Sequence, residues 1–345
     1  MTGMSPVPWL SPADAAVLAE IRASTLAVLE EVVGRGARVA VLDAPNQRNV
    51  GDSMIWAGEV AYFRALGLDV AYVADIDSYR ADAVRAAVPE DGVVLLHGGG
   101  NFGDLWRGHQ SHRERIAKEL PDRRIVQLPQ SIWFEEPKRA ANANRIIGGH
   151  PDFTLLVRDH ESEARAAEQL PAVPRRYCWD MALGWTPTRS PGPAPEREVL
   201  VLAREDKEGA SGLDGAAVEA AAGVPVEVAD WTSATLDTAA WRAARRVPAL
   251  AKRRPGLLRS RAFRRLLAAS IGWINEANVR AGVSLYRGRR LVVVDRLHAH
   301  VLAVLLGIDH VMLDNNYGKL GAVFRDYTHR FSTASYATDV TEAAS

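Results

Sequence analysis

The stretch LVVVDRLHAHVLAVLLGI, Leu291–Ile308, sets the architecture. A leucine and three valines lead to Asp295. Arg296 and His298 fall on the turn that follows, and an Ala/Leu/Val run then continues to Gly307. A buried parallel strand running directly into a helix reads this way, because a strand covered on both faces has no polar alternation. In such folds ligands sit beyond the carboxyl ends of the strands, near helix N-termini. An arginine and a histidine at that point make an anion site with a proton donor beside it. The same construction recurs at Val93–Trp106, where a glycine-rich loop follows the apolar run.

Working outward, the alternation fills the chain. RVAVLD ends a strand at Asp43, and a helical pattern over 53–66 closes at Gly67. DVAYVAD, GVVLLHGGG, RIVQLPQSI, FTLLVRD and RRYCWD read as five further strands, with helical patterns between them. Residues 12–34 form an amphipathic helix with Leu18, Ile21, Leu26, Leu29 and Val33 on one side. The proline-rich run Thr186–Glu198 is the linker, and beyond it the alternation restarts with EVLVLARED. These βαβ units predict an α/β protein built of two halves facing across a cleft. The halves cover 1–187 and 199–345, with 188–198 between them.

The bulk properties narrow the class. A chain of 345 residues is long for one domain. The 42 basic and 42 acidic residues cancel, so no global charge points to nucleic acid. The single cysteine, Cys178, permits no internal disulfide and fits a reducing cytosol. No secretory signal and no uncharged run of membrane-spanning length stand out, so a cytoplasmic protein is expected.

Several motifs carry chemistry. In NVGD, Gly51 permits a tight turn after Asn49. Asp52 or Ser53 either caps the next helix or stands beside backbone N–H groups that face a ligand. In HGGGNFGDLW, Gly99 and Gly100 let the backbone approach a ligand, and successive N–H groups there suit an anion. The loop is neither GxGxxG nor GxxxxGK[ST], which argues against a nicotinamide cofactor. Asn101 and Asp104 are more polar than a plain turn requires, and Asp104 suits a base; Trp106 reads as core or as a sugar platform. LPQSI places Gln130 and Ser131 at a strand end. Arg158 follows FTLLV, where its paired donors suit a carboxylate or phosphate, with Asp159 or Glu161 as local partners otherwise.

In DRLHAH, Arg296 has the same placement as Arg158. His298 and His300 are two residues apart, so they lack the i, i+4 spacing of a zinc pair, and no metal site is expected. His300 reads as helix packing. His298 stands at the helix start, where a bound dianion would make it a general acid. In LDNNYGKLGAVF, Lys319 lies near a helix start as a phosphate contact or a solvated lysine. Arg242–Arg265 is basic, with no acid until Glu276, and holds a stripe of Phe263, Leu266, Leu267, Ile271 and Ile274. That segment is either a solvated helix or a surface for anionic lipid.

Taken in order, NxGD, HGGGNFGD, LPQS, the RD after FTLLV, RLH and Asn-Tyr-Gly-Lys resemble the polysaccharide pyruvyl transferase family, from about Asn49 to Asp326. The resemblance implies a GT-B-like fold of two Rossmann-like domains. It implies phosphoenolpyruvate as donor, a sugar in a polysaccharide or its lipid-linked precursor as acceptor, and a pyruvate ketal as product. It places Arg158, Arg296, Leu297, His298 and Lys319 on the donor, and Asp104 toward the acceptor as base. Asn49, Gly51, Asp52, Gly99, Gly100, Asn101, Gln130 and Ser131 line the acceptor side. No cofactor beyond the co-substrate and no nucleic acid are implied, and the basic segment 242–265 makes contact with the inner membrane face conceivable. Other readings are a nucleotide-sugar glycosyltransferase, with Glu205 or Asp314 on the ribose, a non-catalytic scaffold for glycan assembly, and an oxidoreductase.

Overall fold

In the computed structural model, residues 4–188, 199–202, 213, 215–223, 225–229, 239–313 and 319–338 are described. Helix α1 spans Pro12–Val33, followed by β1 Arg38–Leu42, α2 Val50–Ala65, β2 Asp69–Ala74, α3 Ala81–Ala87, β3 Val93–Leu96 and β4 Gly99–Gly103. Then come α4 Arg107–Glu119, β5 Arg124–Trp133, α5 Pro137–Ile147, β6 Phe153–Val157, α6 His160–Gln169, β7 Arg175–Tyr177 and a 3₁₀ turn, Met181–Gly184. Beyond the proline-rich run lie β8 Val199–Leu202, α7 Gly215–Ala222, β9 Val226–Ala229, α8 Ala239–Arg253, a 3₁₀ turn Pro255–Arg259 and α9 Arg261–Leu285. The chain closes with β10 Leu291–Val294, α10 Leu297–Leu306, β11 Asp309–Leu313, α11 Lys319–Asp326 and β12 Ala334–Ala337.

The strands form two sheets. One has the order β2-β1-β3-β5-β6-β7, with β4 paired to β5; the other has the order β12-β11-β10-β8-β9. Every ladder described is parallel. Parallel strands need crossover connections, and helices then cover the sheet faces, which is why these strands read as unbroken apolar runs. Leu291–Ile308 behaves as its pattern requires. Val292, Val293 and Val294 are buried, and every residue of α10 except His298 is buried. A helix that is apolar all round has no face to give to water.

Three elements differ from the sequence reading. The run GVVLLHGGG breaks into β3 and β4, because pairing transfers at His97–Gly98 and Gly99 turns to φ +134°. Helix α2 begins at Val50 rather than at 53, because Asn49 caps it: its Oδ1 accepts from the N–H of Gly51 at 2.9 Å and of Asp52 at 3.3 Å. Helix α1 buries the expected side, Leu18, Ile21, Leu26, Leu29 and Val33, but its contacts are not confined to the first half. The Trp9 indole N–H donates to Leu305 O at 3.0 Å, the Asp14 carboxylate accepts from Ser332 N–H at 2.7 Å, and Glu20 pairs with Arg330. The buried guanidinium of Arg22 donates to the carbonyls of Leu183, Trp185 and Ser5 at 2.7–2.9 Å. One apolar core contains residues from both sheets, and a smaller cluster around Val199, Val201 and Val293 covers the remaining face of the second.

His300, read as packing, is fully buried in a polar chain. His310 Nδ1 donates to Ile308 O at 2.8 Å, which leaves its Nε2 to accept from His300 Nδ1 at 2.7 Å. His300 Nε2 then accepts from the Thr328 hydroxyl at 2.8 Å. Neutral rings alone complete this relay. Burial holds the pKa of both rings below the usual range; the value is about 4 for His310. The unfolded chain takes up these protons near pH 6.5, so the stability from the pair is complete above that pH and drains away as pH falls toward 4. His310, whose pKa falls to about 4, carries a large part of that loss. Urea denaturation at steps from pH 7.5 to 4 should show this fall. His310→Gln should flatten it.

Candidate active site

Strand β6 is apolar throughout, and the residue after it, Arg158, is only 2% exposed. A buried guanidinium must be met by acceptors. Its Nη1 donates to Asp180 Oδ2 at 2.6 Å and its Nε to Ser131 Oγ at 2.9 Å, and among the described residues Nη2 carries no hydrogen bond. The Ser131 hydroxyl donates to Asp159 Oδ2 at 2.8 Å. Asp159 is therefore not the ion-pair partner of Arg158: its other oxygen accepts from Ser162 N–H at 2.6 Å and caps α6. Asp180, which the sequence reading passed over, takes that role. It lies 22 residues further on, beside the 3₁₀ turn that it caps through Ala182 N–H at 2.8 Å.

The same Asp180 oxygen accepts from His298 Nε2 at 3.3 Å. Burial alone would raise the Asp180 pKa. The charges of His298 and Arg158, with hydrogen bonds from His298 and Ala182, outweigh it and hold the carboxyl far below the usual carboxylate range. On its other side His298 abuts α2. A Cβ placed on Gly51 would stand 3.0 Å from His298 Nδ1 and 3.1 Å from its Cβ. A side chain at 51 would press on the imidazole, so glycine suits the close meeting of the N-termini of α2 and α10. Two asparagines of α9 steady that end of α2: Asn275 accepts from Ser53 Oγ at 2.7 Å, and Asn278 donates to Gln47 O at 2.8 Å.

The glycine-rich loop is held from beneath. Glu59 accepts from His97 Nδ1 at 2.9 Å and from Gly98 N–H at 2.8 Å. Burial pulls the His97 pKa down, but Glu59, aided by Asp52 and Asp43, raises it above the usual value. Among the described residues, His97 Nε2 is buried without a partner. Gln130 donates to His97 O at 3.0 Å and to Asn101 Oδ1 at 3.1 Å, while its own carbonyl accepts from Asn101 N–H at 3.1 Å. Arg113 adds a bond to Asn101 Oδ1 at 2.8 Å. Gln130 and Asn101 therefore fix each other. Gly103, at φ +137°, passes so close to Trp133 O that a Cβ would lie 1.6 Å from it.

Asp104 is drawn elsewhere. Its carboxylate accepts from the N–H of Glu135 at 3.0 Å and of Glu136 at 2.7 Å, closing the turn before α5. It also borders a cleft of about 340 Å³ with Arg107, Glu114, Lys138 and Asn142. Nearer to His97 lies a pair missing from the sequence reading. Asp43 adopts φ +60°, the left-handed region, and its buried carboxylate meets His109 Nδ1 at 2.9 Å. Burial would raise the Asp43 pKa, but His109, Arg113 and His112 lower it below the ordinary value. A left-handed backbone at a non-glycine residue beside a sheet's carboxyl edge is uncommon, and no sequence pattern announces it.

Arg296 is the N-cap of α10, with Leu297 buried behind it. Trp106 is 41% exposed at the start of α4, so it is not a core residue. Lys319 opens α11, but its side chain, like Glu205, Asp314, Asn315 and Asn316, lies outside the described residues. Among the described residues no cluster of His, Cys, Asp and Glu suits a metal ion, and no helix is long and apolar enough to cross a membrane.

Residues 49–317 match the family model described as polysaccharide pyruvyl transferase. Pyruvyl transferase 1 of Schizosaccharomyces pombe is 28% identical over 310 residues, covering 85% of this chain and 70% of that one. A Bacillus subtilis protein named as a candidate pyruvyl transferase, EpsO, is 27% identical over 88% of this chain and 89% of its own. A crystal structure of a functionally uncharacterised Klebsiella pneumoniae protein shares the fold. Its TM-score is 0.54 at 17% identity, over 95% of this chain and all of that one.

Asp180→Asn keeps the shape of this centre but removes the charge that serves Arg158 and His298. Leaving a buried guanidinium without its counterion should lower unfolding stability by about 3 kcal/mol. A midpoint in urea indistinguishable from that of the parent protein would show that the pairing is dispensable.

Proposed function

The chain belongs to the polysaccharide pyruvyl transferase family, and we propose that it moves pyruvate from phosphoenolpyruvate to a sugar of a polysaccharide or its lipid-linked precursor. The product is a pyruvate ketal, and phosphate is released. The observation that supports this most is the convergence of Arg158, Asp180 and His298 at the carboxyl ends of β6 and β10. Phosphoenolpyruvate carries a carboxylate and a phosphate, so its site needs cations and directed donors. Arg158 has Nη2 to offer, Arg296 caps the adjoining helix, and Lys319 opens α11. Leu297 backs the donor pocket.

In this reading His298 delivers a proton to the methylene carbon, C3. The positive charge that develops at C2 is met by an acceptor hydroxyl oxygen. The C2–O bond to phosphate then breaks, and a second hydroxyl adds to C2 to close the ketal. Two acceptor O–H bonds become C–O bonds; one proton ends on C3 and the other on phosphate. Asp180 keeps the His298 imidazole fixed while its charge changes. Asn49, Gly51 and Asp52 form the wall opposite His298, and Gly99, Gly100, Asn101, Gln130 and Ser131 shape the acceptor side. The reading includes a GT-B-like arrangement, with domains 1–187 and 199–345 joined at 188–198, and a cytoplasmic location. It uses no resident cofactor.

Two groups can take the acceptor proton. Asp104 is one; the other is His109, whose Nδ1 is held by Asp43, leaving Nε2 free to accept. In kinetics with a soluble glycoside, the true base should cost about 10²-fold or more in turnover when replaced. His109→Gln and Asp104→Asn, each checked for thermal stability, separate them. Asp104→Asn acting through the turn alone should lower the melting temperature and leave turnover near that of the parent.

Incubation with phosphoenolpyruvate and a panel of glycosides, reading phosphate release and pyruvyl mass gain together, tests the reaction. Folded His298→Ala should lose about 10²-fold or more of phosphate release. Undiminished release would sink the assignment. Phosphoenolpyruvate should raise the melting temperature, whereas stabilisation by UDP- or GDP-sugars instead would favour a glycosyltransferase.

A further inference from the structure

Helices α8 and α9 pack as a hairpin, and its tip is both basic and apolar. The tip runs from the end of α8 through the 3₁₀ turn Pro255–Arg259 into the second turn of α9. Its inner side joins the core through Ala251, Leu258 and Leu267. Its outer side bears Leu250, Leu257 and Leu266, exposed by 43%, 38% and 53%. These are three of the six large hydrophobic residues exposed among the described residues, gathered in one short segment. A soluble face that needed only solvation would not concentrate its leucines there.

The charge around them has one sign. Lys252, Arg253, Arg254, Arg259, Arg261 and Arg265 are all exposed, and the sequence carries no acid between Arg242 and Asn275. Lys252 meets Asp77 at 3.0 Å; among the described residues the other five have no carboxylate partner. Cations ringing outward leucines fit an anionic bilayer surface, where the leucines enter the acyl boundary and the cations meet the headgroups. A nucleic acid would engage the cations but leave the leucines in water.

We propose that the tip of the α8–α9 hairpin docks on an anionic lipid surface. The docking deepens the function proposed above, on which its acceptor clause rests, by favouring a lipid-linked acceptor. From Leu266 to Asn275 the axis of α9 advances about 13 Å. Asn275 holds Ser53 on α2, two residues from Gly51, which packs against His298. A glycan head a few sugars above a bilayer would thus meet the site while its lipid stays embedded.

The test is cosedimentation of the full chain with phosphatidylcholine vesicles, with and without phosphatidylglycerol. Binding should require the anionic lipid and weaken with added salt. Leu257→Asp with Leu266→Asp, and separately Arg259→Glu with Arg261→Glu and Arg265→Glu, should each cut the bound fraction about tenfold at an unchanged melting temperature. Turnover of a soluble glycoside should stay at the parental level in both, so loss of docking and loss of the transferase reading register separately. Equal sedimentation with both vesicle types would overturn the proposal. Full binding by the leucine variant, with RNA or heparin displacing the vesicles, would assign the tip to a polyanion instead.

Discussion

One buried carboxylate organises this molecule. Asp180 is 1% exposed, and an isolated charge at that depth costs several kcal/mol unless cations and donors surround it. Arg158 arrives from the end of β6, His298 from the start of α10, and Ala182 N–H from the turn beneath. Each belongs to a different element, so satisfying one charge dictates where three elements converge. The constraint then propagates. With His298 placed, the bare backbone at residue 51 lets α2 come close to it. With α2 placed, Asn275 and Asn278 bring α9 across it.

Around this centre the polar residues divide by what their bonds leave over. Gln130, Asn101 and Gln127 use their amides on one another, on Arg113 and on the backbone around His97. Asp159 and Asp104 close turns. Such groups make a rigid frame, since a satisfied buried network has one arrangement. Among the described residues a few atoms remain uncommitted within that frame: Nη2 of Arg158, Nε2 of His97, and the outer nitrogen of His109. Sites that stabilise developing charge work by holding such groups in place before the reaction begins.

The strands and the turn at Arg296–His298 were legible because apolar runs and their breaks are local. So was the buried, structural place of His300, since it falls within the apolar run of that helix. Asp180 was not legible: nothing in YCWDMALG distinguishes it from a cap, and its partners lie 22 residues back and 118 residues ahead. Asp43 showed only as a strand's last residue, because a left-handed backbone is imposed by its surroundings rather than by its side chain. The loop shows Asp104 as an acid suited to act as a base, but not what holds it. Its actual bonds are to the N–H groups of Glu135 and Glu136, which come near only when β5 lies beside β4.

The segment from Trp9 to Arg22 touches Leu305, Ser332 and Arg330 on one side and the turn at Leu183 on the other. It therefore acts as a clasp that closes the polypeptide into a non-covalent ring, with early and late residues sharing bonds. For either set of partners to move away, the first helix would have to abandon its bonds to it. The first helix and the shared apolar core therefore couple the two sheets, so that separating them would break bonds on both sides at once.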